Sequence, residues 1–276
     1  MSVSGSPAPA PGRLGVLGWP VSHSRSPQMH RAAFAALALR GWSYQRLAAP
    51  PGLFEEIVPA LPGAGFVGAN VTLPHKHAAL ALADSASPSA REIGAANTLS
   101  FLPDGTIAAE NTDAPGLLLA IGSSVAGCTA VVLGAGGTAR AAVWALRGAG
   151  ASVAVWNRDA ERARRLAADL DVAAVERPRP ADLLVNATTV GMDERRSLEE
   201  VLITLALDSD VVASYEQVID FAYSGSQTAL LTAARQLGVP TVDGLDILAA
   251  QGGLSFELWT GRRAPLEAMR SAAEVG

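Results

Sequence analysis

Lysine is nearly missing from this 276-residue chain: its 21 basic side chains are 20 arginines and Lys76 alone. Where arginine serves for every other positive charge, one retained lysine marks a place for a compact ammonium that can release its proton. An exposed lysine left by chance is the plain alternative. Cysteine is equally scarce. Cys128 has no partner for an intramolecular disulfide, which fits a reducing compartment and an expected cytoplasmic location. No uninterrupted apolar run approaches 18 residues, so no membrane-spanning helix is expected. Residues 1–12 are rich in Ser, Pro, Ala and Gly without a charged start or apolar run. They read as a loose tail and lack the form of a signal peptide. Charge is sparse at 17%, with 21 basic against 26 acidic residues and a net −5. That balance makes a poor binder of nucleic acid or anionic membrane. All four histidines fall in the first third, and His75-x-His77 has no third ligand at a typical spacing, so no metal is expected. A G-x-S-x-G elbow is absent, which argues against Ser–His–Asp hydrolysis.

What the chain has is apolar material: 49% hydrophobic residues and a mean hydropathy of +0.25. That suffices for buried cores and excludes a disordered body. At about 150 residues per domain the length suggests roughly two domains. In the first third, short apolar runs at 14–18, 43–47 and 65–71 alternate with helical patterns at 27–39, 53–61 and 75–83. Pro103-Asp104-Gly105 between 98–102 and 106–109 is a hairpin signal. The middle reads as a βαβ winding: strands at 129–133, 152–156 and 182–186, helices continuing through 141–149 and at 160–170. A strand ending at Asp220 and helices at 228–237 and 245–259 complete the chain. The expected class is α/β with mostly parallel sheets.

Gly134-x-Gly136-x-x-Ala139 follows a strand and opens a helix, which fits the dinucleotide fingerprint G-x-G-x-x-G/A. The first glycine makes the turn and the second admits a pyrophosphate. Free N–H groups at the helix start then hold the phosphates. The next strand ends 23 residues after Gly134 in Asn157-Arg158-Asp159, with Arg162 one helical turn on. The arginines suit a 2′-phosphate, whereas Asp159 would repel one. NADP is favoured, with NAD left open.

Three polar patches lie at predicted strand and helix ends. Ser22-His23-Ser24-Arg25-Ser26-Pro27 combines hydroxyls with a helix start that Ser26 would cap, a receptor for a small anion such as a carboxylate. Asn70-Val71-Thr72-Leu73-Pro74-His75-Lys76 brings Lys76 into the first turn of a helix beyond a strand's C-terminal end, where α/β sheets bind ligands. Asn97-Thr98 and Asn111-Thr112-Asp113 add amides and one carboxylate, Asp113 being either functional or only an N-cap.

With these stretches, the chain resembles the shikimate/quinate dehydrogenase family from about residue 14 to 261. The resemblance also rests on Gly18-Trp19-Pro20-Val21, Ile93-Gly94-Ala95-Ala96-Asn97-Thr98, Asn186-Ala187-Thr188-Thr189-Val190-Gly191-Met192, and Asp243-Gly244 with Gln251 and Trp259-Thr260-Gly261. It implies a tail at 1–12, a substrate domain at 13–112, a Rossmann domain at 113–243 and helices at 244–276 returning to the substrate domain. The implied reaction is reversible hydride transfer between NADPH and 3-dehydroshikimate, giving shikimate. By the same resemblance, Lys76 and Asp113 match a catalytic pair, and Ser24 and Ser26 match carboxylate-binding serines. Thr72, Asn97, Tyr223 and Gln251 match other substrate contacts, with Asp113 among them. Gly134, Ala135, Gly136, Gly137 and Thr138 match the phosphate loop, and Asn157, Arg158, Asp159 and Arg162 the ribose-phosphate loop. Thr188 is a further cofactor position, while Phe221 and Gly244 meet the nicotinamide end. A small-molecule substrate is the implied partner, with the chain a monomer or homodimer. The alternatives are a sibling acting on quinate or an amino-shikimate with NAD, and a non-catalytic nucleotide sensor. The chain departs from the family at Asp159, where threonine or serine is common. It departs again in the long acidic segment 193–216, and at Gly225, where a proline is usual.

Overall fold

The computed structural model describes residues 11–224 and 227–275. Most of the tail, Gly225 and the last residue lie outside the described residues. The first half runs β1 (Arg13–Gly18), α1 (Ser26–Ala36), β2 (Ser43–Ala48), α2 (Phe54–Ala60), β3 (Phe66–Val71) and α3 (Lys76–Leu82). It continues with β4 (Ser85–Ala86), α4 (Pro88–Ile93), β5 (Thr98–Phe101), β6 (Ile107–Glu110) and α5 (Asp113–Ile121). Then follow β7 (Thr129–Leu133), α6 (Gly137–Gly148), β8 (Ser152–Trp156), α7 (Ala160–Asp169), β9 (Ala173–Ala174) and β10 (Leu183–Asn186). The last quarter holds α8 (Leu198–Thr204), α9 (Ser209–Ala213), β11 (Gln217–Asp220), α10 (Ala229–Gln236), β12 (Thr241–Val242), α11 (Gly244–Thr260) and α12 (Leu266–Glu274).

Two sheets result. The first has the order β2-β1-β3-β5-β6-β4, parallel through β1, β2 and β3 and antiparallel where the predicted hairpin β5–β6 joins. The second is parallel throughout, in the order β12-β11-β10-β7-β8-β9. Its strands are covered on both faces, which is why β7, β8 and β10 are continuous apolar runs and not alternating ones. Val132, Leu133, Leu184 and Val185 are fully buried, each worth about 1.5–3 kcal/mol relative to exposure. The winding reverses between β7 and β10. A crevice opens at such a reversal, outside the strands' carboxyl ends.

Helices α11 and α12 turn back to the first sheet. Ser255 on α11 accepts a hydrogen bond from Asn70 at 2.9 Å, and Trp259 donates to the carbonyl of Leu99 at 3.1 Å. Phe256 and Met269 complete an apolar cluster with Leu14, Met29, Phe34 and Tyr44. His30 is 0% exposed in this cluster and stacks on Tyr44 with ring centroids 4.1 Å apart. Neither of its ring nitrogens has a hydrogen-bond partner among the described residues. Burial alone holds its pKa down to about 3, against an ordinary 6.5. The unfolded chain therefore binds a proton that the fold refuses between pH 6.5 and about 3. Stability from this group is complete above pH 6.5 and drains as pH falls, by at most about 1.4 kcal/mol per unit. His30→Phe should abolish that contribution. Urea unfolding from pH 4 to 7 with the same slope in parent and variant would refute it.

One expectation needs correction, and one alternative falls away. Ser26 does not cap α1: Arg25 occupies the N-cap, Ser26 begins the helix, and no side chain caps it. Asp113 is not a cap either, since Thr112 precedes it there and Asp113 lies in the first turn of α5. The acidic segment is helical. Ser197 and Glu200 form a reciprocal capping box on α8, and the Asp208 side chain caps α9.

Candidate active site

The carboxyl ends of β1 and β3 face those of β7, β8, β10 and β11 across a cleft of about 1240 Å³. On one wall, β7 leads into the glycine loop. Gly134 has φ +119°, and a Cβ there would meet the Ala187 carbonyl oxygen at 3.0 Å, so glycine is required. Gly137 begins α6, and its missing Cβ leaves room for Lys76, whose own Cβ lies 2.9 Å from that point. At Gly136 an added Cβ would meet nothing within 4 Å, so the backbone there borders open cleft. With no side chain capping α6, its first N–H groups are available to an anion. Loop and helix start thus fit a dinucleotide's pyrophosphate.

Facing this loop, the start of α3 brings Lys76 to the cleft. Its Nζ donates to Asp113 Oδ2 at 2.5 Å and to Thr138 Oγ1 at 2.9 Å. Lys76 is 8% exposed and Asp113 6%. The other Asp113 oxygen accepts from Asn97 Nδ2 at 2.9 Å, and the same amide donates to Gln251 Oε1 at 3.1 Å. Asn97 Oδ1 accepts from the Thr112 N–H at 2.7 Å, which fixes the amide. One interlocked cluster therefore joins the N-terminal patches, α11 and the glycine loop, and Thr72 lines the cleft beside it.

The hydroxyl loop forms the far end of the same cleft. Ser24 and Ser26 are buried there, with Tyr223 opposite, its side chain hydrogen-bonded to Ser24. Burial raises the Tyr223 hydroxyl above its usual range, opposed by that hydrogen bond and by the charges of Arg25 and Arg46. Arg46 donates twice to the Ser24 carbonyl, at 2.9 and 2.6 Å. Burial lowers the His23 pKa, and the Arg46 charge lowers it further. Sequence reasoning missed Arg46 because nothing in Ser43–Ala48 marks one polar strand position over its neighbours.

Beyond the ends of β8 and β10, Asn157, Arg158 and Thr188 line the cleft, as do Phe221 and Gly244 beyond β11. Gly134, Ala135, Asp159 and Arg162 are set back from it. Asp159 caps α7, accepting from the N–H groups of Glu161 and Arg162 at 3.1 and 3.2 Å. Ser, Thr and Asp are interchangeable in that task, which accounts for an acidic residue at this point. Arg195 and Arg196 also line this part of the cleft. The two histidines of His75-x-His77 go separate ways: His75 meets the Ala49 carbonyl at 2.7 Å, His77 that of Gly94 at 2.8 Å. No group of three potential ligands for a metal occurs among the described residues. None of the described helices is long and apolar enough to cross a membrane.

Behind the loops at 188–190 and 221–223 is a buried hydrogen-bond network. Asp220 accepts from Asn186 at 2.8 Å, the Ala222 N–H at 2.9 Å and the Thr228 hydroxyl at 2.7 Å. Asn186 also donates to the Val190 carbonyl at 2.9 Å and accepts from the Thr188 hydroxyl at 2.7 Å. Burial pushes the Asp220 pKa up to about 7 against these hydrogen bonds.

Comparison with known proteins agrees with this layout. A family model for the shikimate dehydrogenase substrate binding domain matches residues 16–99. One for shikimate / quinate 5-dehydrogenase matches 117–189, and one for the shikimate 5′-dehydrogenase C-terminal domain matches 244–274. Shikimate dehydrogenase (NADP(+)) of Methylobacterium radiotolerans is 44% identical, covering 91% of this chain and 92% of the relative. Among solved structures, shikimate 5-dehydrogenase from Thermus thermophilus in complex with NADP(H) and shikimate superposes with a TM-score of 0.85 at 40% identity. The match covers 95% of this chain and 98% of that one. The enzyme from Aquifex aeolicus gives 0.86 at 31% identity, covering 95% and 97%.

Proposed function

We infer, for a chain that belongs to the shikimate/quinate dehydrogenase family, an NADP-dependent oxidoreductase that interconverts shikimate and 3-dehydroshikimate. The observation that carries this reading is the buried Lys76–Asp113 pair facing the glycine loop, with the Ser24–Ser26 receptor in the same cleft. Gly136–Thr138 would hold the pyrophosphate of NADP, and Asn157 and Arg158 its adenosine end; the cofactor would supply the acceptor or donor of the hydride. As the substrate's hydroxyl is oxidised, neutral Lys76 takes its proton. In reduction, the ammonium stabilises the oxygen that gains charge and then protonates it. Asp113, itself held by Asn97, keeps the Lys76 amine aimed into the cleft. Ser24, Ser26 and Tyr223 bind the carboxylate, and Thr72, Asn97 and Gln251 the ring hydroxyls.

The division we propose is a substrate unit at 13–112, a cofactor unit at 113–243 and returning helices at 244–276. A monomer or a homodimer is the assembly we propose. The cytoplasm, reducing and supplied with NADP(H), is the compartment this reading implies.

The test is reduced-nicotinamide absorbance with shikimate or quinate offered against NADP+ or NAD+. Turnover with shikimate and NADP+ is expected. Preference for quinate and NAD+ would overturn the reading, and so would silence throughout. In the same assay, Ser24→Ala with Ser26→Ala should raise KM for shikimate by about a hundredfold or more, removing two hydrogen bonds to a charged group worth about 1.5–3 kcal/mol each. An unchanged KM would move the carboxylate elsewhere.

A further inference from the structure

Arg25 sits between the two serines of the hydroxyl loop and lines the cleft with them, is 6% exposed, and spends its guanidinium on distant backbone carbonyls. One arm, Nη1, donates to the carbonyls of Ala273 and Glu274 at the end of α12, at 2.7 and 3.4 Å. The other, Nη2, donates to the Ser224 carbonyl at 2.6 Å. These acceptors lie 199 to 249 residues away in sequence, on two separate parts of the fold. The carbonyls at a helix's C-terminus lack partners within the helix and carry its negative end, so they suit a cation. Ser224 belongs to the stretch after β11 that also carries Phe221 and Tyr223, and Tyr223 bonds back to Ser24.

We propose that Arg25 is a positioning residue. It fastens the substrate's carboxylate loop to the segment 221–224 beside the nicotinamide, so that the two ligands are set by one clamp. The role rests on the dehydrogenase reading above and deepens it. Burying a guanidinium is costly unless its donors are used, and a single apolar side chain would fill the space more cheaply. The planar fork spans two acceptors in fixed directions, which a lysine's point charge does not reproduce. Arg46 anchors Ser24 from β2 and Tyr223 meets it from the facing segment, while the fork of Arg25 ties the loop to that segment's backbone and to the end of α12 at once. Because Arg25 is flanked by both serines, any shift of the clamp reaches the carboxylate receptor directly.

Coupling between two ligands is reciprocal and commonly 5- to 150-fold, so it can be read from binding without turnover. The experiment titrates NADP+ with and without saturating shikimate in the parent, Arg25→Gln and Arg25→Lys, alongside kcat. In the parent, shikimate is expected to tighten NADP+ by about fivefold or more. In both variants that factor should fall to within about twofold of unity, with kcat lowered about tenfold, while NADP+ binds the free protein as in the parent. Coupling retained in a folded variant overturns the proposal, whatever happens to kcat. Loss of NADP+ binding to the free variant also overturns it, because a merely structural role would do that. Should Arg25→Gln not fold, Arg25→Lys, which keeps charge and stem, carries the same test. A parent that binds neither ligand would overturn the functional reading itself. A parent that couples them together with variants that do so equally overturns only the role of Arg25.

Discussion

Lys76→Ala is expected to lower kcat for shikimate oxidation by about two to four orders of magnitude, the usual worth of a positioned general acid–base group. NADP+ should still bind, because the glycine loop keeps its shape from Gly134 and the uncapped start of α6. Lys76→Arg separates the charge from the proton transfer. An arginine keeps a cation beside Asp113 but does not release its proton near neutral pH, so its kcat should stay near the alanine variant's. Steric fit works against arginine as well, since Lys76 packs where a Gly137 Cβ would stand. Steady-state kinetics of both variants decide the matter. A Lys76→Ala enzyme within tenfold of the parent would remove Lys76 from the chemistry, and a fully active Lys76→Arg would leave only its charge essential.

That Lys76 stood out in the sequence was a matter of rarity and neighbourhood: one lysine among arginines, in the first turn of a helix beyond a strand. The parallel sheet was legible for an equally local reason. Its strands are buried on both faces, so each writes itself as an unbroken apolar run, and the glycines at 134 and 136 mark the turn between strand and helix. Helix α4 escaped notice because six residues give too little periodicity. It is defined by its ends, with Ser87 capping it and Glu110 accepting from the Ser87 hydroxyl. The cap assigned to Ser26 failed because the chain enters the helix one residue earlier, a distinction set by backbone angles and not by residue type. Asp159 drew attention as a repelling charge, whereas the fold spends its carboxylate on the first amides of α7. Contacts between residues far apart along the chain left no local signal of the pairing. Arg25 and the Asn186–Asp220 pair are of that kind, and all three become intelligible only once β10, β11 and α12 are assembled.

Asp220→Asn is expected to stabilise the protein at pH 8 by up to about 4 kcal/mol, the cost of ionising a carboxyl whose pKa rises from 3.8 to about 7 on folding. The sign follows from proton counts. Between those two pH values the fold holds a proton that the unfolded chain has released, so stability falls as pH rises through the interval. His30 does the opposite between about 3 and 6.5, where the unfolded chain holds the extra proton and stability rises with pH. Over the shared range from 3.8 to 6.5 the two contributions oppose each other and flatten the parent's profile. Asp220→Asn should therefore expose a rising slope due to His30, and His30→Phe a falling one due to Asp220. Asparagine keeps an oxygen for the amides of Asn186 and Ala222, and its NH2 can donate to the Thr228 hydroxyl oxygen. Alanine removes both acceptors and frees the loops at 188–190 and 221–223, so Asp220→Ala should raise KM for NADP+ more than Asp220→Asn does. Urea unfolding at pH 4.5, 6 and 8, together with NADP+ kinetics, tests each step. If Asp220→Asn is less stable than the parent at pH 8, the Asp220 carboxylate contributes more through its three hydrogen bonds than its burial costs, and the opposing-slope account fails with it.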